Sequence, residues 1–304
     1  MYDIVIIGAG TAGLTAAIYA RRAEKKVLVL EAVSYGGQII NTLSIENYPG
    51  MYKVSGPEFA KSLYEQAKEL GAEIEFEKVI SVRRDEESFV IGTEDDTYRA
   101  KAVILATGSE YRKLGIEHED ELIGKGVSYC ATCDGSFYKD KDVMVNGGGN
   151  TALYDAEYLA KICKKVYLVH RRDQFRGDIS LVERVKKLSN VEIILGATVG
   201  ELVVSDGRLS GVKLAFIDAP AKELEVSGLF VAIGHKPSAE AFFDLVEQDE
   251  DGYVIAGEDC KTSCEGVFVA GDVRRKDLRQ LVTAAADGAS AATAAVSYLN
   301  GTNN

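Results

Sequence analysis

Short apolar runs, each halted by a cluster of glycines, set the rhythm of this chain. Residues 3–7 read Asp-Ile-Val-Ile-Ile and run into Gly8, Gly10 and Gly13. A helical stretch to Arg22 follows, then a second apolar run at 27–30 that ends on Glu31. Runs of four or five apolar residues bounded by turn residues are what strands buried on both faces look like. The pattern returns later. Residues 142–145 run into Gly147-Gly-Gly-Asn-Thr-Ala152, a helical stretch reaches about Lys161, and the run 166–169 ends on His170, Arg171 and Arg172. Each copy is a strand, a glycine turn, a helix and a strand within about 30 residues, which is the layout of a βαβ mononucleotide-binding half.

The remaining patterns fill in around these two units. Ser55-Gly-Pro57 predicts a helix start, with a helical pattern to Leu70 and a stop at Gly71. Residues 73–98 alternate as strands and hairpins do, and 101–108 predict a strand ending in a small-residue turn. Residues 191–226 read as strands. The stretches 228–234 and 266–272 each predict a buried strand, the latter closing on Gly271-Asp272, and a long helix from about Gln280 to Tyr298 ends the pattern. The expected fold class is α/β, with two Rossmann-like dinucleotide-binding domains of the three-layer ββα type, the second inserted in the first. The expected boundaries are 1–114 with 241–304 for one domain and 115–240 for the other.

The residue that ends the second strand of such a unit faces the adenosine ribose. In the first unit it is Glu31, whose carboxylate bonds a free 2′-hydroxyl and repels a 2′-phosphate, so FAD or NAD suits that site. In the second it is His170, with Arg171 and Arg172 beside it and Arg176 four residues further on. Guanidinium forks match phosphate oxygens, which points to NADP(H), against the plainer reading of a solvated basic turn. The second fingerprint is the weaker one: its third small residue is Ala152, and polar Asn146 stands where an apolar side chain would pack better. FAD is favoured over NAD in the first site by Gly37-Gln38, where backbone can approach a cofactor. Asp272 after Gly271 adds a carboxylate for ribityl hydroxyls, and Arg279-Gln280 opens a helix whose N-terminus favours an electron-rich ring.

Composition narrows the function classes. Of 304 residues, 46% are hydrophobic and 27% charged, and the length suits about two domains. The net charge of −12 makes nucleic acid and anionic lipid poor partners. No apolar run approaches the ~20 residues of a membrane span. A buried-strand pattern from residue 3 onward gives the expectation of a chain without an export leader, kept in a reducing cytoplasm where structural disulfides are uncommon.

In that setting the five cysteines are candidates for chemistry. Cys130-Ala-Thr-Cys133 has the two-residue spacing of a redox dithiol. The rival is half a zinc site, which needs a second ligand pair. Cys260 and Cys264 have three residues between them, Cys163 reads as packing in a helix, and the three histidines are scattered, so no metal ligand is expected. Asp134 follows the second cysteine directly. A carboxyl in a low-dielectric pocket keeps its proton near neutral pH and can supply it to a thiolate. Its plainer role is that of a turn residue before Gly135.

With these residues in hand, the chain resembles the low-molecular-weight bacterial thioredoxin reductases over essentially its whole length. The matching motifs are 8–13, Gly37-Gln38, the 46–50 stretch with Asn47, Thr107-Gly108, 130–135, 147–152 (with Gly147, Gly149, Asn150, Thr151 and Ala152), His170-Arg171-Arg172 with Arg176, 234–237, and Gly271-Asp272 with Arg279-Gln280. The resemblance implies a homodimer with FAD and NADPH as cofactors and a small thioredoxin-like disulfide protein as substrate. It implies that Cys133 lies nearer the flavin, that Cys130 is the outer attacking thiol, and that Asp134 is the proton donor. It also implies that the NADP domain swivels through links near 114–126 and 236–241. A related flavoenzyme served by ferredoxin, or reducing another disulfide protein, is the alternative. The departures are Asn146, Tyr154 where the family often has an acid, and Ala286 where it often has glycine.

Overall fold

The computed structural model describes residues 1–42, 44–217 and 219–301. The chain forms two compact units, one of residues 1–110 with 236–304 and one of residues 111–235.

In the first unit, four strands lie parallel in the order Glu73–Glu75, Val27–Leu30, Tyr2–Ile7 and Thr97–Leu105, and Val267–Val269 adds a fifth beside the last of these. The apolar runs are continuous because alternate side chains point to opposite faces and both faces are covered. Ile4, Ile6, Val27, Val29, Ala102, Ile104 and Phe268 pack under the helices Thr11–Arg22 and Leu281–Leu299. Val5, Ile7, Leu28, Leu30, Val103, Leu105, Val267 and Val269 pack on the other side with Val82, Phe89 and Ile91. Those last three belong to an antiparallel meander of Val79–Asp85, Ser88–Thr93 and the first half of Thr97–Leu105. The layers are therefore helix, parallel sheet and meander.

The alanine-rich tail has its reason here. Ala291, Ala292 and Ala295 are fully buried in the helical layer. A Cβ on Gly288 would stand 2.3 Å from the carbonyl of Ala12. The last helix thus lies so close to the first that only small residues fit. The helix Gly56–Glu69 starts on a capping box: the Ser55 hydroxyl accepts the Glu58 N–H and the Glu58 carboxylate accepts the Ser55 N–H, with proline in the first turn.

The second unit repeats the plan. Five parallel strands run in the order Val191–Leu195, Lys165–His170, Asp142–Asn146, Gly228–Val231 and Val127–Ser128. One face carries the helices Asn150–Leu159 and Ile179–Lys186, and the other a three-stranded antiparallel sheet of Ala197–Ser205, Arg208–Phe216 and Lys222–Glu225. Cys163 is buried as expected, but it lies beyond the helix, which ends at Leu159; burial pushes its thiol up to about 11.

Candidate active site

In a parallel sheet every strand ends at the same edge, so residues following the strands of one unit converge there. In the first unit this brings 8–13, Glu31, Thr107-Gly108 and Gly271-Asp272 to one rim. The glycine turn is built by close approach: a Cβ on Gly13 would sit 1.8 Å from the Gly8 carbonyl, and one on Gly8, at φ +107°, 2.4 Å from the Ala106 carbonyl. Gly10 caps the first helix and has nothing within 4 Å of where its Cβ would be, which leaves room for a phosphate at that helix N-terminus. The Glu31 carboxylate accepts the N–H of Ala9 at 2.8 Å and of Val33 at 3.1 Å, so the side chain expected at a ribose is already locked beside the turn.

The other expected flavin residues also meet. Asn47 Nδ2 donates to Gln280 Oε1 at 3.0 Å, across 233 positions of sequence. Gln38 donates to the Ser109 carbonyl. Arg279 lies over the Tyr253 ring at 4.0 Å and donates to the Asp272 carbonyl. Asp272 has a buried Oδ1 with no protein partner among the described residues. Burial raises its pKa, while the charges of Lys276 and Arg279 pull the other way. An orphaned buried acceptor on the rim of a glycine turn suits a polyhydroxylated ligand, so these residues fit a flavin dinucleotide.

The second unit offers the same rim with different chemistry. Gly147 is pressed against the Ala232 carbonyl, 2.3 Å from its would-be Cβ, whereas Gly149 has nothing within 4 Å. Ala152 is fully buried and Thr151 exposed. Arg171, Arg172 and Arg176 are exposed, and among the described residues none of their guanidiniums pairs with a carboxylate. Their loop is fastened to the glycine turn. The Arg176 N–H bonds the Gly148 carbonyl at 2.8 Å, Asn150 Oδ1 accepts the Asp178 N–H at 2.8 Å, and Asn150 Nδ2 donates to Asp178 Oδ2 at 3.1 Å. Unneutralised guanidiniums at a helix N-terminus fit an extra phosphate. His170 is placed differently from its arginine neighbours. It is buried, stacked on Phe175, and directly beneath Gly148, whose Cβ would lie 2.3 Å from its ring. Burial, then the charges of Arg176, Arg172 and Arg171, lower its pKa.

Cys130 and Cys133 form a disulfide, Cα atoms 5.3 Å apart, and both are partly exposed. They follow Val127–Ser128, a strand parallel to Gly228–Val231, and so belong to the same rim as the nucleotide turn. The pair spans the short helix Ala131–Asp134. Asp134 Oδ2 accepts a hydrogen bond from the Ser128 hydroxyl at 2.7 Å. Burial raises the Asp134 pKa, partly offset by that bond. Among the described residues no group of three or more His, Cys, Asp or Glu could hold a metal ion, and no helix is long and apolar enough to cross a membrane.

Four residues here carried no sequence signal. Ser128 is one. Glu119, 3% exposed, is another: its carboxylate takes the N–H groups of Leu114 and Gly115, each at 2.8 Å, and the Tyr129 hydroxyl at 2.7 Å. Asp155, on the helix after the second glycine turn, is pushed up to about 7 by burial. Asp287 stood in the sequence merely as a charge interrupting the alanine-rich tail. It is 5% exposed and accepts from Gly271, Arg274 and Lys276. All four are acceptors of local hydrogen bonds or buried acids, which only the fold reveals.

Two glycine turns, each on its own ββα unit, and a Cys-x-x-Cys disulfide on the second define a dinucleotide-dependent type of disulfide oxidoreductase. Residues 2–288 match the family described as pyridine nucleotide-disulphide oxidoreductase, and the chain belongs to that family. It is 41% identical to a thioredoxin reductase of Listeria monocytogenes over 300 residues, covering 98% of this chain and 94% of that one. It is 40% identical to the thioredoxin reductase of Bacillus subtilis, covering 98% and 95%. The crystal structure of a thioredoxin reductase from Streptococcus pyogenes superposes with a TM-score of 0.93 at 40% identity, covering 99% of each chain.

Proposed function

We propose that this enzyme is a thioredoxin-disulfide reductase, taking electrons from NADPH by way of FAD and delivering them through Cys130 and Cys133 to thioredoxin. The observation that carries the reading is the Cys130–Cys133 disulfide with a half-buried carboxyl hydrogen-bonded beside it, on the rim that also carries the basic nucleotide loop. The relatives named thioredoxin reductase supply the identity of the acceptor. Bound FAD would supply the chemistry that lets a two-electron nicotinamide donor serve a disulfide.

The chain's residues divide the remaining work. Gly8, Gly10, Gly13, Glu31 and Asp272, with Gln38, Asn47 and Gln280, would hold the flavin dinucleotide. Gly147, Gly149, Asn150, Thr151 and Ala152 would seat the NADPH pyrophosphate, with Arg171, Arg172 and Arg176 on the 2′-phosphate and His170 supporting the turn from below. Reduction of the disulfide leaves two sulfurs that need protons. Asp134, kept protonated to higher pH by burial, supplies one and takes it back when a thiolate is required. Cys130 would act as the attacking thiol and Cys133 as the partner that closes the disulfide again. The domains are read as 1–114 with 241–304 for FAD and 115–240 for NADP(H), and a homodimer in the cytoplasm is part of the same reading.

Anaerobic assays with oxidised thioredoxin test it. NADPH oxidation is expected to require thioredoxin and both cysteines, with ferredoxin unable to replace NADPH as donor. Turnover by Cys130→Ser or Cys133→Ser would overturn the reading.

A further inference from the structure

One buried hydroxyl connects the first cysteine to the carboxyl that follows the second. Ser128 ends the edge strand Val127–Ser128 and is 3% exposed. Its Oγ accepts the backbone N–H of Cys130 at 3.1 Å and donates to Asp134 Oδ2 at 2.7 Å. A serine hydroxyl has one hydrogen and two lone pairs. The hydrogen goes to the nearer, stronger acceptor, and a lone pair takes the amide. The contact with the Cys130 carbonyl, at 3.4 Å, is the weaker claim on that hydrogen. The Asp134 N–H bonds the same carbonyl at 3.1 Å, so the turn is closed from both its backbone and its side chains.

We propose that Ser128 is a positioning residue for the redox reaction, holding the Asp134 carboxyl against the Cys130–Cys133 turn and setting that carboxyl's proton affinity by donating to it. The proposal deepens the reading of Asp134 as proton donor and rests on it. Two opposed effects act on this carboxyl. Burial disfavours its charged form, and a hydroxyl donor favours it. An alanine at 128 removes the donor and leaves burial unopposed, so Asp134 would hold its proton to higher pH. It also takes the acceptor from the Cys130 N–H, loosening the first residue of the turn.

Other titratable groups surround the turn. Tyr138, on the 3-10 turn Gly135–Tyr138, is raised by burial and by the Asp134 charge, with Arg208 acting the other way. The helix Asn150–Leu159, which packs against Ala131 and Gly135, carries Asp155 and Tyr158. Asp155 titrates near neutrality and must be told apart from Asp134. The neighbouring strand Gly228–Val231 brings no titratable side chain.

The test is a carboxyl titration of the oxidised holoenzyme by NMR with 13C-labelled aspartate, using Asp134→Asn and Asp155→Asn to assign the two resonances. Loss of a hydrogen bond to a charged group is expected to raise the Asp134 midpoint in Ser128→Ala by about one pH unit, with Ser128→Thr restoring it. The alkaline limb of the thioredoxin-reducing half-reaction moves up by the same amount, while flavin reduction by NADPH keeps its rate. An Asp134 midpoint unmoved by Ser128→Ala overturns the proposal. A separate failure is distinguishable: if Asp134→Asn reduces thioredoxin at the wild-type rate and with the wild-type pH profile, Asp134 is not the donor, whatever Ser128 does to its midpoint.

Discussion

Arg274 closes on Asp287 with two hydrogen bonds, Nε at 3.0 Å and Nη2 at 2.9 Å, and both side chains are 7% exposed. Lys276 adds its ammonium to the same carboxylate, which also accepts the Gly271 N–H at 3.0 Å. A charge on the last helix thus anchors the Gly271-Asp272 turn. Asp287→Ala would take the carboxylate from buried Lys276 and leave Arg274 only the exposed Glu258 and the Ala256 and Gly257 carbonyls, and removal of one member of a buried pair costs about 3–5 kcal/mol. Urea unfolding is expected to show that loss, together with weaker retention of flavin; a wild-type unfolding midpoint would contradict it.

The same carboxylate has a pH signature. Burial, the largest influence, raises its pKa, but the hydrogen bonds and charges of Lys276 and Arg274 outweigh it and the folded pKa is lowered. A group with a depressed folded value contributes stability that is complete above its unfolded pKa, about 4 for aspartate. That contribution is lost as pH falls through the folded value. Asp287→Asn is expected to lie below the wild type in stability at neutral pH and to converge on it in acid. A gap that stays constant from neutral pH into strong acid would count against the assignment.

Nucleotide preference follows from the latched basic loop. Replacing Arg171 and Arg172 with alanine removes charge-assisted bonds to a 2′-phosphate, each worth roughly 1.5–3 kcal/mol. Together the two losses predict a fall of about 10²- to 10⁴-fold in kcat/KM for NADPH, with NADH unaffected. Asn150→Ala, which removes the two bonds to Asp178 and leaves the Arg176 N–H on Gly148 to hold the loop to the glycine turn, should lower the NADPH preference by a smaller factor. An unchanged NADPH to NADH ratio in the double variant would contradict the site.

Gly148 and Gly149 make a matched pair of opposite kind. A methyl on Gly148 would collide with the His170 ring, which is stacked on Phe175 and buried, so Gly148→Ala is expected to destabilise the second unit. A methyl on Gly149 meets nothing within the protein. Gly149→Ala should unfold like the wild type yet bind NADP+ more weakly, because the methyl stands where a pyrophosphate would approach. Calorimetric unfolding and NADP+ titration separate the two, and equal effects on stability would contradict this assignment.

Much of the fold was legible because its strands are covered on both faces. That made residues 4–7, 27–30 and 143–145 continuous apolar runs, with a glycine turn after the first and the last of them. The long helix at the end was legible from its alanines and the second helix from Ser55 and Pro57. The helix Ile179–Lys186 was not, since only Leu181 and Val185 are buried on it and its start depends on Asn150 reaching Asp178. Cys130, Cys133 and Asp134 announced themselves by adjacency. Ser128, Glu119 and Asp287 did not, because an acceptor gains meaning only from donors that the fold delivers. His170, grouped in sequence with the arginines, is set apart from them by burial.

Asp134→Asn keeps the shape of the carboxyl and removes its proton. General acid–base groups contribute about 10²- to 10⁴-fold, so thioredoxin reduction by this variant should slow by that order while NADPH still reduces the flavin normally. Stopped-flow absorbance of the two half-reactions checks it; slowing of the flavin half-reaction alone would place Asp134 elsewhere.

The relay itself is tested most directly by an anaerobic visible spectrum of the purified protein through one cycle of reduction and reoxidation. The expected result is a yellow protein that NADPH bleaches and oxidised thioredoxin recolours, with recolouring lost in the Cys130→Ser, Cys133→Ser double variant. A colourless protein, or a double variant that thioredoxin recolours at the normal rate, would contradict the account.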